Sequence, residues 1–135
     1  MDKPRVVLDT NVYISAIFWR GLPYRVVSKA ADNGFAVFVS QDIINELMNV
    51  LARDFGRSKE EISAITDSLE LFAKFVESKV MVNEIKEDSS DDRILECALA
   101  SNSHYIVTQD NHLLKLKAYK DVKIVTPKEF LDLVK

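Results

Sequence analysis

Four short runs dominate the hydropathy of this chain: RVVL at 5–8, FAVFV at 35–39, HYIVT at 104–108 and VKIVT at 122–126. Apart from Lys123 their central residues are apolar in succession rather than alternately, so both faces of the strands have to be largely buried. Segments of helical periodicity separate them. Strands buried on both faces and joined by helices require a mainly parallel sheet covered on both sides. With VMV at 80–82 as a brief third strand, the expectation is an α/β fold, a three-layer α/β/α sandwich around a mainly parallel five-stranded sheet.

The helices follow from their punctuation. A first helix at 11–18 is broken by Arg20-Gly21-Leu22-Pro23, and Pro23 suits the first turn of a second that runs to about 33 and closes at Gly34. Ser40 is placed to cap a third helix over 41–55. Ser58, with Glu61 three residues on, forms a capping box for a fourth, read as one helix over 59–78. Ile62, Ile65, Leu69, Phe72 and Val76 give that helix its buried stripe, and Leu71 and Phe75 leave a second apolar edge suited to a dimer contact. After a polar loop at 83–90 come a helix at 91–101, the fourth strand, a helical turn to Leu116, the fifth strand and a last helix opened by Pro127. Only 3 Gly and 3 Pro occur, so few breaks are expected, and a length of 135 residues suits a single domain spanning 1–135.

Several function classes are disfavoured. No apolar run approaches the ~20 residues that cross a bilayer, and Met1-Asp2-Lys3-Pro4 leads straight into a strand rather than a secretory leader. Cys97 is the sole cysteine, which leaves no internal disulfide and no thiolate zinc site and points to a cytoplasmic setting. His104 and His112 alone do not make a zinc centre. The net charge of −3 speaks against simple electrostatic nucleic-acid binding, although a few acids gathered around cations would account for the whole excess.

The acids are indeed placed in a pattern. Asp9 ends the first strand, and Asp110 follows the fourth by two residues. In a parallel sheet both fall on the rim where ligands bind. Glu46 borders the apolar stripe of the third helix, between Ile43 and Val50, and Asp91 and Asp92 open the helix DDRILECALA. Spacing does not separate these two, since each shares a face with apolar residues further along. Taken singly, each acid has an ordinary role as cap, turn residue or solvated helix residue. Their convergence on one end of one sheet points instead to a cation, because clustered carboxylates repel or take up protons without one. Hard oxygen ligands suit Mg²⁺ or Mn²⁺, one or two ions.

VVLDTNVYISA, SQDIINELMNVL, DDRILECALAS, HYIVTQDNHLL and KIVTPKEFL, in this order, resemble the PIN-domain family over nearly the whole chain. Within it they resemble the small single-domain proteins that are toxins of toxin–antitoxin pairs, VapC-like. The resemblance implies a PIN-like fold and a metal-dependent ribonuclease that hydrolyses phosphodiester bonds with activated water, leaving 3′-hydroxyl and 5′-phosphate ends. It implies Asp9, Glu46, Asp92 and Asp110 as the catalytic, metal-holding acids. Asp92 is preferred because the family's acid stands three before the aliphatic position that Leu95 fills. Asn11 and Thr108 match polar positions that orient the acids or contact phosphate, Thr10 belongs to the motif with a helix cap as its other role, and Asp91 is placed to support the acids from behind. Asn111 and His112 stand where relatives often carry another acid or Arg.

Trp19 and Arg20, in the loop after the first helix, are candidate substrate contacts, as are Asn111 and His112. The other reading of Trp19 is a residue packed in the core or a subunit interface. Implied partners are an RNA substrate, an antitoxin protein and a second copy of the chain, with no membrane. Competing readings are a catalytically silent PIN-fold binding module, a housekeeping RNA-processing nuclease, and a phospho-receiver-like domain. The last requires paired acids at the first strand, which this chain lacks.

Overall fold

The structure, a computed structural model, describes residues 3–78, 82 and 89–134. The elements in chain order are β1 (Arg5–Leu8), α1 (Thr10–Phe18), α2 (Gly21–Ala31), β2 (Ala36–Val39), α3 (Gln41–Arg53), α4 (Lys59–Glu70) and β3 (Ala73–Phe75). They continue with α5 (Ser89–Ala100), β4 (Tyr105–Val107), α6 (Asn111–Leu114), β5 (Ala118–Tyr119), β6 (Val122–Val125) and α7 (Pro127–Leu133). The strands form one sheet in the order β3-β2-β1-β4-β6-β5, parallel throughout except for β5 against β6.

The expected helix-flanked, mainly parallel sheet is therefore present, with six strands among the described residues instead of five. Its centre is the driest part of the molecule. Val6, Val7 and Leu8 of β1 and Ile106 and Val107 of β4 have no exposed surface, and Leu47 and Leu51 of α3 and Leu95 of α5 are equally buried. At roughly 1.5–3 kcal/mol for each such side chain, this set is the main source of stability.

Helix ends follow the sequence closely. Ser40 Oγ accepts the Ile43 N–H, and Ser58 and Glu61 form the reciprocal capping box. The cap of α1 is Asp9, whose Oδ1 accepts the Thr10 N–H at 2.7 Å.

Two segments depart from expectation. The helix read over 59–78 stops at Glu70, and residues 73–75 instead pair in parallel with β2, extended by the Val76 N–H to the Val39 carbonyl. Phe72 and Val76 do continue the helical stripe in sequence, but an unpaired edge of β2 offers their backbone a ladder, and long-range pairing overrides local propensity. Of the expected strand at 80–82, residues 80 and 81 lie outside the described residues, and buried Val82 is in no strand. The additional strand β5 is two residues long and turns back on β6 at Lys120 and Asp121, with Lys120 at φ 53°.

The connections set the site. From β1 the chain steps outward to β2 and β3, then returns past β1 to β4 on its other side. The crevice between the carboxyl ends of β1 and β4 is thus the topological switch point, where open parallel sheets bind ligands.

Candidate functional site

Asp9 and Thr108 leave β1 and β4 at that crevice. The sheet ladder carries on past the strand ends: the Asp9 N–H donates to Val107 O and the Thr108 N–H to Val125 O. Both residues are consequently held by the sheet rather than by a loop. The Thr108 hydroxyl, wholly buried, donates to Asp9 Oδ2 at 2.7 Å and accepts the Asp110 N–H at 2.9 Å. One side chain thereby fixes both strand-end acids. Asp110 Oδ1 in turn accepts the His112 N–H at 2.9 Å and caps α6. The ordinary roles of Asp9 and Asp110 as caps and their place in a cleft coexist.

A cleft of about 440 Å³ opens over these residues. Asp9, Thr10 and Asn11 form one wall, Asp42, Glu46 and Asn49 of α3 face them, and Asp91 and Asp110 close it. Asn11 Oδ1 accepts the Gln109 N–H, and the Ser15 hydroxyl donates to Gln109 Oε1, so α1 is tied to the segment after β4. At the edge of the cleft, ligand atoms of Asp91, Asp110 and His112 lie within 4.8 Å of one another. His112 Nδ1 is 3.8 Å from Asp110 Oδ1.

The donor chemistry fits a divalent cation. Five carboxylates line this cleft, and its one cationic lining side chain, Arg93, is turned to Glu96 Oε2 at 2.9 Å and to the Val82 carbonyl. Beside the acids, the cleft offers the side-chain oxygens of Thr10, Asn11, Asn45 and Asn49, and such hard donors suit Mg²⁺ or Mn²⁺.

The sequence-derived residues are partly gathered. Asp9, Thr10, Asn11, Glu46, Asp91 and Asp110 line the cleft, and Thr108 lies just beneath it. Asp92 does not line it: at 2% exposure it is directed elsewhere by about 100° of helix rotation from Asp91. Asn111 is exposed at the start of α6. Trp19 and Arg20 lie outside the cleft, and Trp19, 67% exposed, is not a core residue.

Sequence reasoning missed His112 as a member of the acidic group and missed the polar stripe Asp42, Asn45 and Asn49. That stripe was legible in principle, since Asp42 and Asn49 flank Glu46 at helical spacing and Asn45 is three after Asp42 and four before Asn49. Cys97 contributes no chemistry; burial pushes its thiol up to about 12.

Fold and site together define an α/β protein with a carboxylate-lined cleft at the switch point of a mainly parallel sheet. Residues 5–112 match the PIN domain family, and the chain belongs to it; members of this family are generally nucleases. The chain is similar to the protein MJ1680 of Methanocaldococcus jannaschii, with 24% identity over 143 residues covering 96% of this chain and 91% of that protein. Among solved structures it is similar to a chain of VapBC2 from Rickettsia felis, solved bound to a promoter DNA fragment, with a TM-score of 0.66, 17% identity and coverage of 90% and 98% of the two chains. PAE2754 from Pyrobaculum aerophilum gives 0.59, 16%, 97% and 89%. The RRP44 PIN domain of T. brucei gives 0.54, 12%, 96% and 80%. Identities this low speak to the shared fold.

Proposed function

We propose that this protein is a metal-dependent endoribonuclease, the toxin partner of a small antitoxin. The observation that carries the reading is the gathering of Asp9, Glu46, Asp91 and Asp110 in one cleft at the switch point of the sheet, with ligand atoms of Asp91, Asp110 and the neighbouring His112 within 4.8 Å of one another.

The residues divide the work by their anchorage. Asp9, held by its helix-cap bond and by Thr108, is rigidly anchored and would hold the ion. Asp91, Asp110 and Glu46 of the same cleft would complete the ligand set. Asp92, kept off the cleft, supports the start of α5. His112 brings an imidazole nitrogen, which suits Mn²⁺ better than Mg²⁺. The chemistry a divalent ion supplies there is a lower pKa for water and neutralisation of charge growing on the phosphate oxygens. Asn11 and Asn49 are placed to donate hydrogen bonds to the phosphodiester and set it in line with the attacking water. No enzyme nucleophile is needed, which agrees with the protonated, buried thiol of Cys97.

Similarity to a VapBC2 chain supports an antitoxin partner. Leu71, 88% exposed, and Phe75 on the edge strand β3 support self-association.

The test is cleavage of labelled single-stranded RNA with Mn²⁺, with Mg²⁺ and with chelator, beside Asp9→Asn. Ion-dependent cuts lost in the variant are expected, with a fall of at least ~10²-fold. Thermal shift with Mn²⁺ should be lost in Asp91→Asn and kept in Asp92→Asn. Equal cleavage by Asp9→Asn, or cutting undiminished in chelator, refutes the proposal.

A further inference from the structure

The cleft does not end at its acids. It runs between α1 and α3, with Ile14 on one side and Asn49 and Val50 on the other. One helical turn further, the same two faces carry Phe18, four after Ile14, and Arg53, four after Asn49. Arg53 is near enough to feel the Glu46 carboxylate. Just beyond, Phe18 stacks on Phe55 with centroids 4.2 Å apart, and Trp19 stands edge-on to both at 6.0 and 5.8 Å. The Arg57 guanidinium lies 4.9 Å over the Phe18 ring.

We propose that Trp19 is a base-stacking platform for single-stranded RNA passing out of the cleft, with Arg53 and Arg57 taking its phosphates. This rests on the nuclease reading of the cleft. Three observations support it beside this placement one helical turn beyond the cleft. The indole is 67% exposed although apolar rings adjoin it. The ion pairs of the arginines are exposed, Arg53 to Asp54 at 3.0 Å and Arg57 to Glu61 at 3.4 Å, and such pairs are weak and exchange readily for phosphate. The chain also holds the next residue, Arg20, at φ 60° and ψ −120°, a geometry that L residues rarely adopt and that is concentrated at functional sites. An aromatic face with flanking arginines is the recurring device for single strands, tolerant of sequence because every base offers a π-face.

Trp19 is the sole tryptophan, so its emission reports on the platform directly. The experiment titrates Asp9→Asn protein, which does not cut, with short mixed-sequence single-stranded RNA in the presence of Mn²⁺. Expected are saturable quenching, a salt slope of about −0.7 for each phosphate held, and, read by anisotropy of end-labelled RNA because the variant has no tryptophan, an affinity that falls roughly 5- to 150-fold in Asp9→Asn/Trp19→Ala. Trp19→Phe in the same background should recover most of it. RNA binding that leaves the emission unmoved, or equal affinity in the Trp19→Ala protein, overturns the proposal and assigns this surface to a protein partner. Absence of any RNA binding also overturns it. Cleavage by the unaltered protein separates the two readings. Cuts with a silent Trp19 remove the platform alone, whereas quenching without cuts under any ion keeps the platform and removes the nuclease.

Discussion

Replacing Thr108 by Val changes its shape little and removes the one hydroxyl that ties Asp9 to Asp110. Two bonds are lost at a wholly buried position, one to a carboxylate at 2.7 Å and one from the Asp110 N–H at 2.9 Å. A hydrogen bond to a charged group contributes about 1.5–3 kcal/mol, and leaving a part-buried N–H without its acceptor adds about 1. The expected loss is thus roughly 2–4 kcal/mol. With an unfolding entropy near 2.1 cal/mol/K per residue, this chain loses about 4 °C for each kcal/mol, so Tm should drop by about 10 °C. Denaturation in chelator reads this directly. Ion affinity should fall by about 10- to 100-fold as well, because Asp9 loses the partner that orients it; a Mn²⁺ titration followed by thermal shift measures it. Thr108→Ser, which keeps the hydroxyl, should recover most of both. If Thr108→Val melts within about 1 °C of the parent, or Thr108→Ser does no better than Val, the hydroxyl is not what holds Asp9 and the reasoning fails.

Two further expectations concern parts of the chain away from the acids. Arg20→Gly releases backbone strain of about 1–3 kcal/mol, against about 1 kcal/mol of added chain entropy and a similar loss of the contact of its guanidinium, 3.9 Å over the Tyr24 ring. The net lies between a loss and a gain of about 1 kcal/mol in urea denaturation, and a loss of about 2 kcal/mol or more would show that Arg20 is not strained. Cys97, with its thiol pushed up to about 12, holds only about one part in 10⁴ as thiolate at pH 8. Iodoacetamide should therefore leave it unmodified by mass spectrometry until urea unfolds the chain, and labelling of the native protein within minutes would contradict the burial.

The apolar strands, the capping box at Ser58 and Glu61, and the placement of Asp9 and Asp110 after β1 and β4 are local or periodic signals, and the chain alone displays them. The run at 71–76 was misread for the complementary reason. Its stripe is a valid helical pattern, and nothing within the segment shows that β2 has an edge to be paired.

The same division holds in the site. Sequence by itself determined that acids would collect at the carboxyl end of a parallel sheet, because strand ends and helix starts are written into residue order and the sheet's connectivity does the rest. Tertiary structure alone decided which of Asp91 and Asp92 faces the cleft, since adjacent helix positions differ by about 100° and only packing of α5 fixes its rotation. It also decided that Thr108 bridges two acids, that His112 joins them, and that Trp19 stays in water while Phe18 beside it stacks on Phe55. Each of these depends on contacts between segments far apart in the chain, whose geometry exists only once the sheet has assembled.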